Sequence, residues 1–293
     1  MRATLLSTQS KNAFTRVLQF LDGKMTEPTP FGWFHLLFLT LVLCACIFVG
    51  IKAKKLTDKQ VDTLVLGIGI ALILLEIYKQ MICAYDRDDN SWHYSWGDFP
   101  FQFCSTPLYI LPWCALAKQG RVKSALSAFL ATYCLIAGTV VMLTPTTVFS
   151  ETIGINLQTM LHHGAMIIVA VLLLASGRVA PNKQSLVSAI CVFISLCAMA
   201  MTMNGLYIAF GNSDEYFNLF YISPAELPPA DFLEKLLAYI PYPVYLGGYL
   251  VFFTLGAYLV LLITALFTKN EAIQTEEISA SNPIEEQTTA RFT

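Results

Sequence analysis

Cys104 stands in the run Phe99-Pro100-Phe101-Gln102-Phe103-Cys104-Ser105, where a long apolar stretch begins, and the pair His162-His163 stands near the start of another. A thiol and an imidazole are the parts of a nucleophilic catalyst. The thiolate attacks an acyl carbonyl, and the neutral ring takes up and returns the proton. A free thiol has a pKa of about 8.5 and apolar surroundings raise it, so a partner that favours the thiolate is required. His163 is the expected partner and His162 the second choice. Neighbouring helical positions set their rings about 100° apart, so one of the two is expected to face the interior.

Five more residues are candidates to support this chemistry or to bind substrate: Glu76, Gln102, Ser105, His35 and Asn204. Polar groups inside apolar spans are expensive and are usually kept for a task. Ser105, together with backbone amides freed by Pro107 or Pro112, is a source of donors for a tetrahedral oxyanion. Gln102 is expected to face elsewhere unless the helix start is irregular. Plainer readings stand beside these. Glu76 and Lys79 are three apart and suit an intrahelical ion pair. His35 suits a solvated imidazole near the interface, and Asn204 suits a bridge between helices. A Cys83–Cys104 disulfide is the rival for the thiol in an oxidising compartment; the other six cysteines read as small core hydrophobes. Neither HExxH nor paired-cysteine spacing occurs, so no metal and no cofactor are expected.

The elements that must position these residues follow from composition. With 56% hydrophobic and 13% charged residues, against roughly a quarter charged in soluble domains, the chain reads as an integral membrane protein. Its apolar runs are long and continuous rather than alternating, which points to helices and not a barrel. Seven runs are expected to span, at 33–51, 61–84, 99–117, 124–143, 157–175, 186–210 and 242–267. The fold class is therefore all-α, a polytopic membrane helix bundle of about seven transmembrane helices. Residues 1–30 form an N-terminal segment in which Phe14, Val17, Leu18 and Leu21 suit a helix lying on the bilayer surface. Residues 31–268 are the seven-helix domain, and the polar tail at 269–293 is expected to be disordered.

With seven spans, one set of loops plus the tail carries eleven Lys and Arg, against six in the N-terminal segment and the other loops. The positive-inside rule then puts the N-terminus outside and the C-terminus in the cytoplasm. At ~1.5 Å per residue, Cys104 falls roughly 7 Å and His163 roughly 9 Å inside the outer ends of their spans. By the same arithmetic Glu76 lies about 12 Å, Asn204 about 9 Å and His35 about 3 Å inside theirs, all in one layer. A single polar pocket open to the outer side is the expectation. A net charge of −2 argues against nucleic acid as a partner. The loop at 211–240 is acidic and rich in Pro, a connector or a lid.

On these residues the chain resembles the YwaF and transmembrane-protein-164 family of multi-span membrane proteins. The resemblance is carried by Pro100-Phe101-Gln102-Phe103-Cys104 at the start of span three, the His at the start of span five, and Glu76 shortly before Lys79 in span two. It covers roughly residues 33–265. Animal members are understood to be acyltransferases that move a fatty acyl chain between phospholipids with a Cys and a His. The resemblance thus implies Cys104 as nucleophile and His163, or else His162, as its base. Two departures stand out. This chain has two His where the family has a single obvious one, and Ser105 follows the Cys where a larger polar residue is frequent. The expected function is an acyltransferase acting on membrane phospholipid or lysophospholipid, multi-pass in a bacterial inner membrane. A lipid hydrolase differs from it only in using water as acceptor. A non-enzymatic transporter or ligand-binding protein with the same pocket is the alternative from another class, although no internal repeat of the transporter kind is evident.

Overall fold

The structure, a computed structural model, describes residues 13–86, 91–211, 215–226 and 239–281. Among the described residues eight α-helices follow one another: α1 (Ala13–Leu21), α2 (Trp33–Ala53), α3 (Asp58–Ala84), α4 (Pro107–Leu116), α5 (Arg121–Leu143), α6 (Ile153–Ala175), α7 (Lys183–Phe210) and α8 (Tyr242–Ser281). Between α3 and α4, β1 (Tyr85–Asp86) and β2 (Ser91–Trp92) form one short antiparallel pair. Among the described residues six helices (α2, α3, α5, α6, α7 and the Tyr242–Lys269 part of α8) are long and apolar enough to cross a membrane. The protein is an all-α, multi-pass membrane bundle.

The helix starts follow local chemistry. Thr57 and Gln60 close a capping box ahead of α3, and the Asn182 side chain accepts from the Ser185 amide ahead of α7; both satisfy amides that the first turn leaves orphaned. The run at 99–117, expected as a full helix, is different. A one-turn 3₁₀ segment (Phe103–Ser105) precedes the ten-residue α4. Pro107 occupies the first turn of α4, where its missing N–H costs nothing, and so begins a helix instead of kinking one. At ~1.5 Å per residue α4 is only about 15 Å long. This irregular segment nonetheless runs antiparallel to α3 over its length. The Gln80 amide donates to the Asp98 carbonyl at one end, Gly69 lies against Leu111 and Pro112 midway, and Lys123 joins Asp62 to the carbonyls of Ala115 and Ala117 at the other.

Packing places α5 and α6 at the centre, with 61% of their apolar windows buried against 11% for α8 and 17% for α2. α2 and α3 pack on α6, while α4, α7 and α8 pack on α5. The outward faces of α2 and α8 remain apolar, with Leu41, Ile47, Phe252 and Leu259 exposed, as lipid contact requires. In α1, Leu18 is buried while Val17 and Phe20 are exposed. The N-terminal segment is tied to the start of α6 by a Lys24–Thr152 bridge. α8 continues to Ser281, into the segment expected to lack order; its Lys, Glu, Ala and Gln are good helix formers. Residues 282–293, and Leu5 and Leu6 of the N-terminal segment, lie outside the described residues.

Away from Cys104, the bundle is closed by charge. Lys123, almost fully buried, pairs with Asp62 at 2.6 Å, and Arg178 pairs with Asp62 at 3.0 Å and Asp58 at 2.9 Å. Breaking such a pair strands a desolvated charge. Asp62→Ala is therefore expected to cost about 3 kcal/mol, and Asp58→Ala, whose side chain is 76% exposed, under about 1 kcal/mol. Thermal unfolding in detergent checks the order, and equal effects would refute it.

Candidate functional site

The irregular start of α4 and the middle of α6 meet. Because Pro107 has no N–H, the Phe103 carbonyl lacks its i+4 donor and accepts instead from the Thr106 hydroxyl at 2.8 Å. One residue on, the Cys104 carbonyl accepts from His162 Nε2 at 2.9 Å. A ring nitrogen whose partner is a carbonyl must carry the proton, so neutral His162 keeps its lone pair on Nδ1. That Nδ1 is buried and has no hydrogen-bond partner among the described residues. His163 repeats the pattern in mirror image: its Nδ1 donates to the Thr159 carbonyl at 2.8 Å, and its Nε2 is buried without a partner among the described residues. The two rings lie 5.3 Å apart. Buried polar atoms without a protein partner are rare and mark strain, a bound water or ion, or a reaction site.

Close approach of backbones sets this geometry. A Cβ on Gly138 of α5 would meet the His163 carbonyl at 2.9 Å and Met166 Cβ at 3.0 Å; small residues of this kind let membrane helices touch. Across the site, Glu76 is buried and accepts from Gln80 at 2.7 Å, Gln158 at 3.3 Å and Lys79 at 3.4 Å. The intrahelical pair suggested by spacing is present, and two amides complete it. Gln80 and Gln158 were not singled out from the sequence. Gln158 lies one turn before His162, and that i, i+4 spacing is the signal that was available. Outside the spanning helices, burial lifts the Asp98 carboxyl above the usual range, with Lys79 opposing. Ser105, next to Cys104 in the 3₁₀ turn, is buried. Cys83 and Cys104 are both free thiols.

Three candidates are committed elsewhere. His35 is fully buried rather than solvated. It accepts the Phe31 amide on Nδ1 at 2.8 Å and donates from Nε2 to the Met142 carbonyl at 2.7 Å, in a separate small core with Phe34, Phe38 and Phe149. Gln102 donates to the Asn218 carbonyl and accepts from the Phe220 amide, both at 2.9 Å. Asn204 accepts from the Leu219 amide at 2.8 Å and donates to its carbonyl at 3.1 Å. Of the candidate site residues, Cys104, Ser105, His162, His163 and Glu76 gather, whereas His35, Gln102 and Asn204 hold backbone. His35→Leu, which strands one amide and one carbonyl, is expected to lower stability by about 1–3 kcal/mol and to leave alkylation of Cys104 unchanged. Melting curves and mass spectrometry of the Cys104 peptide test this; altered Cys104 reactivity would return His35 to the site.

Comparison with known proteins adds one finding. The model of the TMEM164 family matches residues 30–267, a range that includes every residue of the candidate site. No curated protein and no solved structure matches the chain.

Proposed function

The chain belongs to the TMEM164 family, and from that membership we propose that it is a membrane acyltransferase moving a fatty acyl chain between membrane phospholipids through a thioester on Cys104. The observation that carries the reading is the bare, buried Nδ1 of His162 on a ring already anchored to the Cys104 carbonyl. A general base must offer a lone pair near the proton it removes, and it must be held in the useful tautomer. The Cys104 carbonyl does the second job. His162 is accordingly preferred over His163, whose ring is anchored within its own helix.

In the proposed cycle His162 Nδ1 takes the thiol proton, and Sγ attacks the ester carbonyl of the donor lipid. The C–O bond breaks, the proton passes from the imidazolium to the leaving lysolipid oxygen, and a thioester remains. A lysolipid hydroxyl then gives its proton to Nδ1 and attacks the thioester, and Sγ leaves and recovers the proton. Glu76 and Lys79 place one charge of each sign beside the imidazolium and thiolate that form in each half. Ser105, adjacent to Cys104 in the chain, is the proposed side-chain donor for the tetrahedral oxyanion. The charge balance of the loops supports a site facing the outer side of a bacterial inner membrane, with the N-terminus outside.

Intact mass of the detergent-solubilised protein after incubation with a labelled phospholipid tests the proposal. Wild type is expected to carry an acyl mass that hydroxylamine removes, and Cys104→Ala none. His162→Gln is expected to slow acyl transfer by about 100-fold or more, and His163→Gln by much less. Full activity in Cys104→Ala would sink the mechanism, and the reverse order of the two His variants would exchange their roles.

A further inference from the structure

The connection between α7 and α8 does not stay on the surface. Within Phe217–Ser223, Phe217, Asn218, Leu219, Phe220, Ile222 and Ser223 are buried and Tyr221 is exposed. The segment dips to the level of Asn204, six residues before the end of α7, or about 9 Å below it. Irregular backbone at such depth survives only where protein satisfies it, and here it is satisfied group by group. Asn204 takes both polar groups of Leu219, and Gln102 takes the Asn218 carbonyl and the Phe220 amide. Asn218 Oδ1 accepts from the Ser223 amide. The hydroxyls of Tyr245 and Tyr242 donate to the carbonyls of Tyr221 and Ile222, both at 2.7 Å.

Phe220 is the plug of this strap. Its ring, fully buried, stacks on Phe103 at 5.5 Å and lies 5.8 Å from Phe101, the residues just before the thiol. Phe220 and Tyr221 are both left-handed, with φ of 58°, a conformation that bulky residues adopt only when their surroundings enforce it. A strained strap held by one buried ring and a few side-chain pins relaxes outward when the ring is lost.

We propose that Phe217–Ser223 seals the Cys104 thiol from the aqueous side and that Phe220 thereby decides which acceptor resolves the acyl-enzyme. This rests on the thioester reading above. With the strap seated, a lipid hydroxyl arriving from the bilayer takes the acyl group and ester is formed. With the strap released, water adds to the same thioester, a carboxylic acid leaves, and Sγ regains its proton.

Two readouts on protein in lipid nanodiscs separate the parts. The first is alkylation of Cys104 by a water-soluble, membrane-impermeant maleimide, followed on the Cys104 peptide so that the other thiols do not interfere. Phe220→Ala is expected to raise its rate by about tenfold or more, since losing a buried Phe ring removes at least that much closing free energy. Tyr242→Phe combined with Tyr245→Phe, which removes two pins without touching the core, is expected to raise it less, and Phe220→Leu least. The second readout is the ratio of free fatty acid released to acyl chain transferred to lysophospholipid, expected to rise in the same order. Unchanged alkylation in both Phe220→Ala and the double Tyr variant overturns the seal. Raised alkylation with an unchanged ratio overturns the choice of acceptor. No acyl chemistry in wild type is the failure of the function reading, and alkylation still decides whether the strap guards the thiol.

Discussion

Every irregular stretch of backbone in this bundle has to be hydrogen-bonded inside an apolar surround, and the arrangement of the site follows from that requirement. Water is absent from the hydrocarbon, so each stranded amide or carbonyl costs kilocalories. Among the described residues two such stretches lie at one level, the 3₁₀ start of α4 and the buried Phe217–Ser223 part of the α7–α8 connection. They satisfy each other through Gln102, whose side-chain amide stands in for a peptide group between them. Asn204 does the same from α7. The Cys104 carbonyl is taken by His162. A hydrogen bond that satisfies the backbone is thus the one that fixes the tautomer of the proposed base.

Close helix contact makes these bonds reachable. Gly69 lets α4 lie on α3, and Gly138 lets α6 lie on α5 at the level of His163; a side chain at either position would push the helices apart. Around them an aromatic cluster fills the core. Phe103 meets Phe129, Phe193, Phe220 and Phe253, so the residue before the thiol is anchored from α5, α7, α8 and the strap together. Opposite-facing anchors of this kind hold Cys104 and His162 in fixed relation while the far end is held by Lys123, Asp62 and Arg178. Two left-handed residues, Phe220 and Tyr221, lie in the strap beside this cluster.

Much of this was legible in the amino-acid sequence. Long uninterrupted apolar runs determine a helical membrane protein because only helices and closed barrels spare the backbone in lipid, and no alternation favours a barrel. The motifs around Cys104, Glu76 and His162-His163 determined the family and the chemistry to look for. Sequence could not say which polar residues do chemistry and which hold backbone. His35, Gln102 and Asn204 carry the same side chains as catalytic residues do, and only their partners, 107, 116 and 15 residues away, reveal the structural use. Spacing likewise left the His pair ambiguous, since which ring faces α4 depends on the rotation of α6 against α5. The expected full span at 99–117 became a 3₁₀ turn and a short helix because Pro107 can begin a helix and cannot continue one. Apolar content and motif identity are local and were determined by the sequence alone. Tautomer, pairing and the buried strap are settled by contacts between distant segments, and only the tertiary structure decided them.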